Sequence, residues 1–371
     1  MGDMGMEKYY YEKEFLKRIK RLNAIRRKAH PNEYPIIDDT IRTMEIIIAD
    51  AKRPKKKTLI ESIEDDYDYL RENSFLWNYI RKFATLSVPE YYGDFVLDNI
   101  LDLTDDEIFQ YTHDFYRDAT DKEIFEQFLK IFAKRNKQVK LFQEKYSDFT
   151  ADSVYLAYYN DTFIRLNKKG TFTDLSSLIH EYGHAIQMSS NYHPNILNNP
   201  FSEIISVAFE LIAHEYYSKD ERLCISAADS QWEDFNSRIL FADDLVDEFA
   251  IVKQIKDREK GHSLKEKITK YAKHDARLLQ EIIEFEVSTS LDYVLAELIG
   301  IEIYMIYRKD PEKALYLIHK IIDINPSLDS EEYFKKLTDL GLHPNRSVDE
   351  YNNHLLKRMR TIQKKDDEKN A

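Results

Sequence analysis

The sequence predicts a mainly α-helical protein with one small β-hairpin. Only 8 of its 371 residues are glycine and 9 are proline, and folds built from many short strands need more of both for their turns. Apolar residues such as Ile41 and Met44 recur at helical spacing, so residues 7–150 are predicted to form successive helices. The pattern changes near residue 151. We therefore predict an N-terminal helical region, 1–150, and a second region, 151–371, that packs with it as one body.

The hairpin is predicted from two stretches of β-forming residues. Val154–Tyr159 and Thr162–Leu166 flank the turn pair Asn160-Asp161, and such a pair between two strand-like runs is typical of a hairpin. Helical patterns resume after Gly170 and continue almost to the end of the chain. A small sheet beside a helical site is the expected arrangement.

Composition and charge limit the partners and the compartment. The formal net charge of −13 disfavours nucleic acid and anionic membranes as partners. Cys224 is the single cysteine, which excludes an intramolecular disulfide and a zinc site with several cysteine ligands. The stretch Met1–Glu12 has no apolar leader, and no stretch has the length of a membrane span. We therefore expect a cytoplasmic protein.

The strongest chemical signal is the run His-Glu-Tyr-Gly-His at 180–184. On a helix, His180 and His184 are four residues apart and lie one turn above the other on one face, which suits two nitrogen ligands of a tetrahedral zinc. Glu181 is offset by one residue, so it can reach the attacking water as a general base without binding the metal. The alternative is a chance motif in a plain helical protein.

The glycine within this helix and the start of the helix each lead to an expectation. Gly183 lies inside it, where glycine costs up to about 1 kcal/mol relative to alanine, and close approach of another backbone or of substrate would justify that cost. Thr173 or Asp174 is expected to cap its N-terminus.

A catalytic zinc needs a third protein ligand and leaves one position for water. The polar segment Asn191–Asn199 contains Pro194 and must end the first helix, and the pair Asn199-Pro200 is typical of the start of the next helix. Glu203 lies in the first turns of that second helix and is the predicted third ligand. His193 in the loop and His214 further along the helix are the competing candidates.

Glu210 lies on the same face of the second helix as Glu203, two turns further along. A carboxylate on the apolar side of a helix is costly unless it has a partner. We expect Glu210 to bind a ligand histidine through a hydrogen bond and so to support the metal ligands. The alternative is a salt bridge to another neighbour.

The motif at 180–184 and the residues around it resemble the thimet oligopeptidase and oligoendopeptidase F family of zinc peptidases. Four stretches are similar to the family: Phe163–Leu175 leading into the motif, Phe201–Ser206 with Glu210, Asp292–Leu298 continuing to Pro311, and Tyr333–Leu342. The resemblance covers roughly residues 150–350. It implies that His180, His184 and Glu203 bind one zinc ion and that Glu181 is the general base. It also implies a helical shell around a deep groove that admits short peptides.

The sequence departs from the family in its length and in its loops. The chain is shorter than typical members, and the loop between the two metal helices is also shorter, with a spacing that resembles the zinc aminopeptidases. Those enzymes carry a Gly-x-Met-Glu-Asn stretch, which this sequence lacks. The predicted function is therefore zinc-dependent hydrolysis of peptide bonds in short peptides, with a zinc aminopeptidase as an alternative.

A third departure concerns the residues that stabilise the oxyanion. Family members carry a downstream run rich in histidine and tyrosine, whereas the corresponding stretch here, Phe285–Tyr293, keeps only Tyr293 as a phenol. Tyr293 is therefore the candidate oxyanion donor, and its alternative role is that of a core aromatic on an amphipathic helix. Depletion of this run also favours a second function, a non-catalytic relative that binds peptide or a protein partner.

Overall fold

The computed structural model describes residues 11–52, 68–86, 101–144, 150–191, 201–258 and 291–370. In chain order its helices are α1 (Glu12–Arg26), α2 (Tyr34–Lys52), α3 (Ser74–Ala84), α4 (Asp105–Ala119), α5 (Lys122–Phe132), α6 (Arg135–Gln138), α7 (Phe172–Ser190), α8 (Ile204–Tyr217), α9 (Cys224–Arg258), α10 (Leu291–Tyr307), α11 (Pro311–Ile322), α12 (Ser330–Asp339) and α13 (Val348–Asn370). Its strands are β1 (Val139–Phe142), β2 (Ala151–Leu156) and β3 (Asp161–Asn167). The predicted fold class, mainly helical with a small sheet, is confirmed.

The three strands form one sheet in the order β1-β3-β2. The hairpin prediction is confirmed, because β2 and β3 pair antiparallel with Val154 opposite Phe163. Asn160 makes the turn in the left-handed region, with φ of 48°, which asparagine tolerates better than most residues. Strand β2, the first strand of the hairpin, ends earlier than predicted, since residues 157–159 form a short 3-10 helix.

Strand β1 was not predicted. Residues 139–142 were included in the run of helices up to 150, and that prediction is wrong for this segment. β1 pairs in parallel with β3, with Val139 opposite Ile164. A parallel partner that follows far along the chain stabilises a four-residue strand that has little local signal of its own.

Helix α7, which carries the motif, lies at the centre of the protein. It is buried almost throughout, from Phe172 to Met188, and packs against α8, α4, α5 and the sheet. The phenol of Tyr116 on α4 donates a hydrogen bond of 2.8 Å to the carbonyl oxygen of Ile179, the residue before His180. A helix buried on all sides holds its side chains in fixed positions.

Gly183 is explained by the approach of a second backbone. A Cβ atom at this position would lie 2.9 Å from the Cα of Ser206 on α8 and 3.2 Å from the ring of Phe209. Gly300 on α10 plays a similar part, because a Cβ there would lie 2.9 Å from a methyl group of Val207. Helix α8 therefore packs closely against α7 on one side and α10 on the other.

The start of α7 differs from the predicted cap. Thr171 occupies the capping position without a side-chain hydrogen bond, and Asp174 instead reaches back out of the first turn. Its carboxylate accepts hydrogen bonds from the backbone N–H groups of Lys169 at 2.7 Å and Gly170 at 2.8 Å. Burial raises the pKa of Asp174, although these two hydrogen bonds oppose the shift. The side chain thus fixes the turn from β3 into α7.

Two sizeable cavities among the described residues lie away from the motif. One, of about 820 Å³, is lined by Arg308, His354 and Arg358 among others, and another, of about 920 Å³, lies between α1 and the residues around Lys134. The deep groove and the boundary at 150 remain predictions. No helix in the described part of the chain has both the length and the apolar character that crossing a membrane requires.

Candidate metal centre

The side chains of His180, His184 and Glu203 converge on one point. The Nε2 atoms of the two histidines lie 3.1 Å apart, and each lies 3.1 Å from Oε2 of Glu203. Both histidines are buried, at 6% and 7% exposure. Three potential ligand atoms thus form a nearly equilateral triangle in the protein interior.

The triangle fits a zinc ion. Ligand atoms at the corners of a tetrahedron about 2.0–2.1 Å from zinc lie about 3.3–3.4 Å from one another, close to the observed separation. Two imidazole nitrogens and one carboxylate oxygen are also a ligand set that zinc accepts in catalytic sites. The three residues therefore satisfy the geometry and the chemistry of a site for a divalent metal ion.

Glu203 reaches the histidines from the residue just before α8, not from the first turns of that helix as predicted. It occupies the N-cap position, with φ of −80° and ψ of −13°, and its side chain makes no cap hydrogen bond. Burial raises the pKa of Glu203, but the charge of His184 and the hydrogen bonds to both histidines outweigh it and hold the pKa well below its usual range. The side chain is therefore an ionised carboxylate whose Oε2 atom faces the Nε2 atoms of His180 and His184.

Glu210 contacts the other nitrogen of the first histidine. Its Oε2 lies 3.3 Å from Nδ1 of His180, so Nδ1–H can donate to the carboxylate and leave the lone pair of Nε2 toward the centre. Burial lowers the pKa of His180, but the hydrogen bonds to Glu203 and Glu210 outweigh it and raise the pKa to about 10. The surroundings of His180 thus favour positive charge, whether a proton or a metal ion supplies it.

Glu181 lies beside the triangle and is 7% exposed. Burial raises its pKa, while the two histidines and a hydrogen bond from Ser153 on β2 oppose the shift. A raised pKa makes a carboxylate a stronger base. The hydrogen bond also places the edge strand of the sheet next to Glu181.

Tyr293 lies at the start of α10 and its ring stacks on that of His180. Its ring centroid is 6.1 Å from that of His180, with 26° between the planes. Burial raises the pKa of its phenol, and the charges of Glu203 and Glu181 add to the shift, so the hydroxyl stays protonated. It can therefore donate a hydrogen bond beside the centre. Residues 285–290 of the stretch in which Tyr293 was identified lie outside the described residues.

One residue at this site was not predicted from the sequence. Arg238 on α9 has its Cζ atom 4.5 Å from the centroid of the Tyr293 ring. Arg238 lies in a polar and acidic part of the chain. In such a segment, the sequence does not distinguish one arginine from the solvent-exposed residues around it. Only the packing of α9 against α10 brings it to the site.

The competing ligand candidate His214 lies away from the cluster. His214 is fully buried about three helical turns beyond Glu203, with Nε2 3.3 Å from the hydroxyl of Ser230 and 3.6 Å from a carboxylate oxygen of Asp234. Burial lowers its pKa to about 4. His193 lies outside the described residues. Among the residues the structure does describe, the cluster of His180, His184 and Glu203 is the group that could hold a metal ion.

Comparisons with known proteins return matches among solved structures. No family model matches the chain, and no curated protein matches its sequence. A structure assigned as an oligoendopeptidase F is 14% identical, with a TM-score of 0.47, over 94% of this chain and 66% of the other. One so assigned from Bacillus anthracis str. Ames is also 14% identical, with a TM-score of 0.47, over 89% of this chain and 63% of the other.

A third solved structure, PZ peptidase A with an inhibitor, is 14% identical, with a TM-score of 0.44, over 94% of this chain and 66% of the other. The chain thus spans about two thirds of the length of these three structures. At this identity and these TM-scores the likeness carries no information on activity. The names agree with the family that the sequence resembles, and any relationship to these three proteins is a divergent one.

Proposed function

We propose that this chain is a zinc-dependent peptidase that hydrolyses peptide bonds in short peptides. The observation that supports the proposal most strongly is the triangle of His180, His184 and Glu203, with 3.1 Å between each pair of ligand atoms. A zinc ion held by these three residues would supply a Lewis acid and a water of lowered pKa. The remaining steps belong to the side chains around it.

Glu181 is the general base of the proposed reaction. Its carboxylate takes a proton from the water that attacks the peptide carbonyl carbon and then passes that proton to the leaving nitrogen. The phenol of Tyr293 donates a hydrogen bond to the carbonyl oxygen as negative charge develops on that oxygen. Glu210 holds the Nδ1–H tautomer of His180, so that Nε2 of His180 stays available as a ligand.

The sheet offers a means of holding the peptide. β2 lies at the edge of the three-stranded sheet, and Ser153 on this strand donates a hydrogen bond to Glu181. An extended peptide that pairs with β2 would add a fourth strand. Its backbone would then run past the general base.

The rival function is a relative that binds peptides without cleaving them. It is favoured by the depletion of tyrosines in the stretch Phe285–Tyr293, which leaves Tyr293 as the remaining phenol. A zinc aminopeptidase is the other alternative, and it predicts that blocking the amino group of a peptide abolishes cleavage.

The test combines metal analysis with a peptide assay. We expect about one zinc ion per chain in the purified protein, and chelator-sensitive cleavage of a library of quenched fluorescent peptides with blocked amino termini. His184→Ala and Glu203→Ala should lose both zinc and cleavage. Stoichiometric zinc with bound but uncleaved peptides would support the rival, and cleavage that persists without metal would reject the proposal.

A further inference from the structure

A guanidinium group lies one aromatic ring away from a proposed metal ligand. The Cζ atom of Arg238 is 4.5 Å from the centroid of the Tyr293 ring, and that ring stacks on His180. A cation is attracted to the face of an aromatic ring, so this contact holds the charge of Arg238 in place. The guanidinium is therefore held near the candidate metal centre through the ring of Tyr293.

Arg238 makes no direct ion pair among the residues that the structure describes, although the carboxyl groups of Glu210, Asp234 and Glu297 are near enough to interact with its charge. Its Nε atom is buried without an acceptor there. Buried or half-buried arginines are usually paired, since an unpaired charge loses its hydration. An unsatisfied buried donor in a native protein calls for an explanation, and a bound partner is one.

The neighbouring carboxyl groups do not accept a hydrogen bond from this Nε–H group. Glu210 contacts Nδ1 of His180 at 3.3 Å and interacts with Arg238 only through its charge. Burial raises the pKa of Glu297 to about 7 and that of Asp234 well above its usual range, in both cases against the opposing charge of Arg238. These two acids are thus biased toward their neutral forms. The unsatisfied Nε–H donor of Arg238 stays available to an anion from outside the chain.

We infer that Arg238 binds a carboxylate of the peptide substrate next to the candidate centre, an inference that rests on the proposed function. The planar fork of a guanidinium matches the two oxygens of a carboxylate. In a short peptide that group is either the C-terminal carboxylate or the side chain of an acidic residue. Arg238 is then the residue that makes the site selective for anionic peptides.

Selection of anionic peptides requires such a residue because the proposed centre offers a substrate carboxylate little net charge. The carboxylates of Glu203 and Glu210 lie at or beside the histidines, and their two negative charges would offset the two positive charges of a bound zinc ion. Arg238 supplies a positive charge at one position beside the centre. It thereby fixes where along the peptide the negative charge must lie.

The inference is tested by binding without turnover, in the full-length chain carrying Glu181→Gln. Zinc content is measured first, and affinities are then measured by calorimetry for two pairs of probes. The first pair is an N-acetylated Phe-Ala-Ala-Phe peptide with a free C-terminal carboxylate or a C-terminal amide. The second is an amidated peptide of the same type with a central glutamate or glutamine. The two pairs distinguish the two sources of the carboxylate.

We expect the acidic member of at least one pair to bind about 10- to 100-fold more tightly than its neutral counterpart. Adding Arg238→Met should abolish this preference while zinc content is retained, and Arg238→Lys should restore part of it. Arg308→Met is the matched control, because Arg308 is also partly buried, with 29% side-chain exposure, and follows the opposite end of α10. That control should keep the preference.

Three outcomes would overturn the inference. The acidic and neutral peptides could bind equally, Arg238→Met could keep the preference, or Arg238→Met could weaken both members of a pair to the same extent, as a merely structural role requires. Since the preference is measured from peptide affinity, it is tested whether or not zinc is bound. A chain without zinc would reject the proposed function, whereas zinc together with no charge preference would reject this inference alone.

Discussion

The Oε2 atom of Glu210 lies 3.3 Å from Nδ1 of His180, on the side of the imidazole ring opposite the three converging ligand atoms. Such a hydrogen bond orients a ligand histidine and increases its basicity. We expect Glu210→Ala to lower zinc affinity by about 10- to 100-fold, measured by competition with a chromophoric chelator. Glu215→Ala is a control on the same helix, because Glu215 binds Tyr304 instead. Equal zinc affinity in Glu210→Ala and the unsubstituted chain would contradict this role.

Glu181→Gln should separate metal binding from hydrolysis. Glutamine has nearly the same shape but cannot take a proton, so we expect unchanged zinc content and a fall in turnover of about 10²–10⁴-fold. Both are measured on the same preparation, with cleavage followed on a quenched peptide. If Glu181→Gln cleaves peptides as fast as the unsubstituted chain, the proposed mechanism is wrong.

Tyr293→Phe should reduce the rate without loosening the site. The ring that stacks on His180 and lies under Arg238 is retained, while the phenolic donor is lost. We expect kcat to fall by about 10²–10³-fold, with KM and zinc content little changed. Tyr307→Phe, at the other end of α10, is the control, since its hydroxyl binds the carbonyl oxygen of Ala119. A normal kcat in Tyr293→Phe would assign Tyr293 to packing alone.

Gly183→Ala tests whether close packing outweighs helix propensity. Alanine is favoured by about 1 kcal/mol within a helix, but its Cβ would lie 2.9 Å from the Cα of Ser206, a backbone atom that cannot rotate away. We expect a net loss of about 1–3 kcal/mol in the free energy of unfolding, measured by urea denaturation. In Gly300→Ala the nearest atom belongs to the Val207 side chain, so Val207→Ala should rescue that variant. A more stable Gly183→Ala chain would refute the packing argument.

Glu297 predicts a pH dependence of stability. Burial raises its pKa in the folded protein to about 7, with Arg238 opposing and Glu210 adding to the shift, and the buried Tyr351 and Asp234 also face this group of charges. The folded state therefore binds the proton more tightly than the unfolded state, where a glutamate titrates near pH 4.3. The stabilisation is complete below that value and is lost as the pH rises through about 7.

The matching variant is Glu297→Gln, which stays neutral at every pH. Relative to the unsubstituted chain, it should gain about 1–3 kcal/mol in the free energy of unfolding between pH 5 and pH 8. Urea denaturation at several pH values measures the difference. Parallel stability curves for the two chains would show that Glu297 does not titrate in this range.

Features encoded in short sequence spacing could be predicted. The four-residue separation of His180 and His184 requires only a helix to bring both rings to one face, and the hairpin requires only its turn at Asn160. Convergence of Glu203 on the histidines followed from a short connection between two helices. The unusual cost of Gly183 also indicated a close contact before its partner was known.

Features that depend on distant packing could not be predicted. β1 has only four residues, and its partner β3 comes later in the chain, so no local pattern distinguishes it from the helices before it. Arg238 meets Tyr293 only because α9 and α10 pack together, and nothing near Arg238 in the sequence indicates that contact. The backward reach of Asp174 to Lys169 depends on the turn at Gly170, which has φ of 79°.

The close approach of Gly183 and Ser206 would also influence which metal ion the proposed centre selects. His180 and His184 are fixed to one helix and Glu203 immediately precedes the other, so the distance between the two backbones sets the size of the opening among the three ligand atoms. Substitutions at Gly183 would widen that opening without touching a ligand, and a wider opening favours larger ions such as Mn²⁺ or Cd²⁺ over zinc. Gly183 would thus help to determine the preferred ionic radius without contacting the ion.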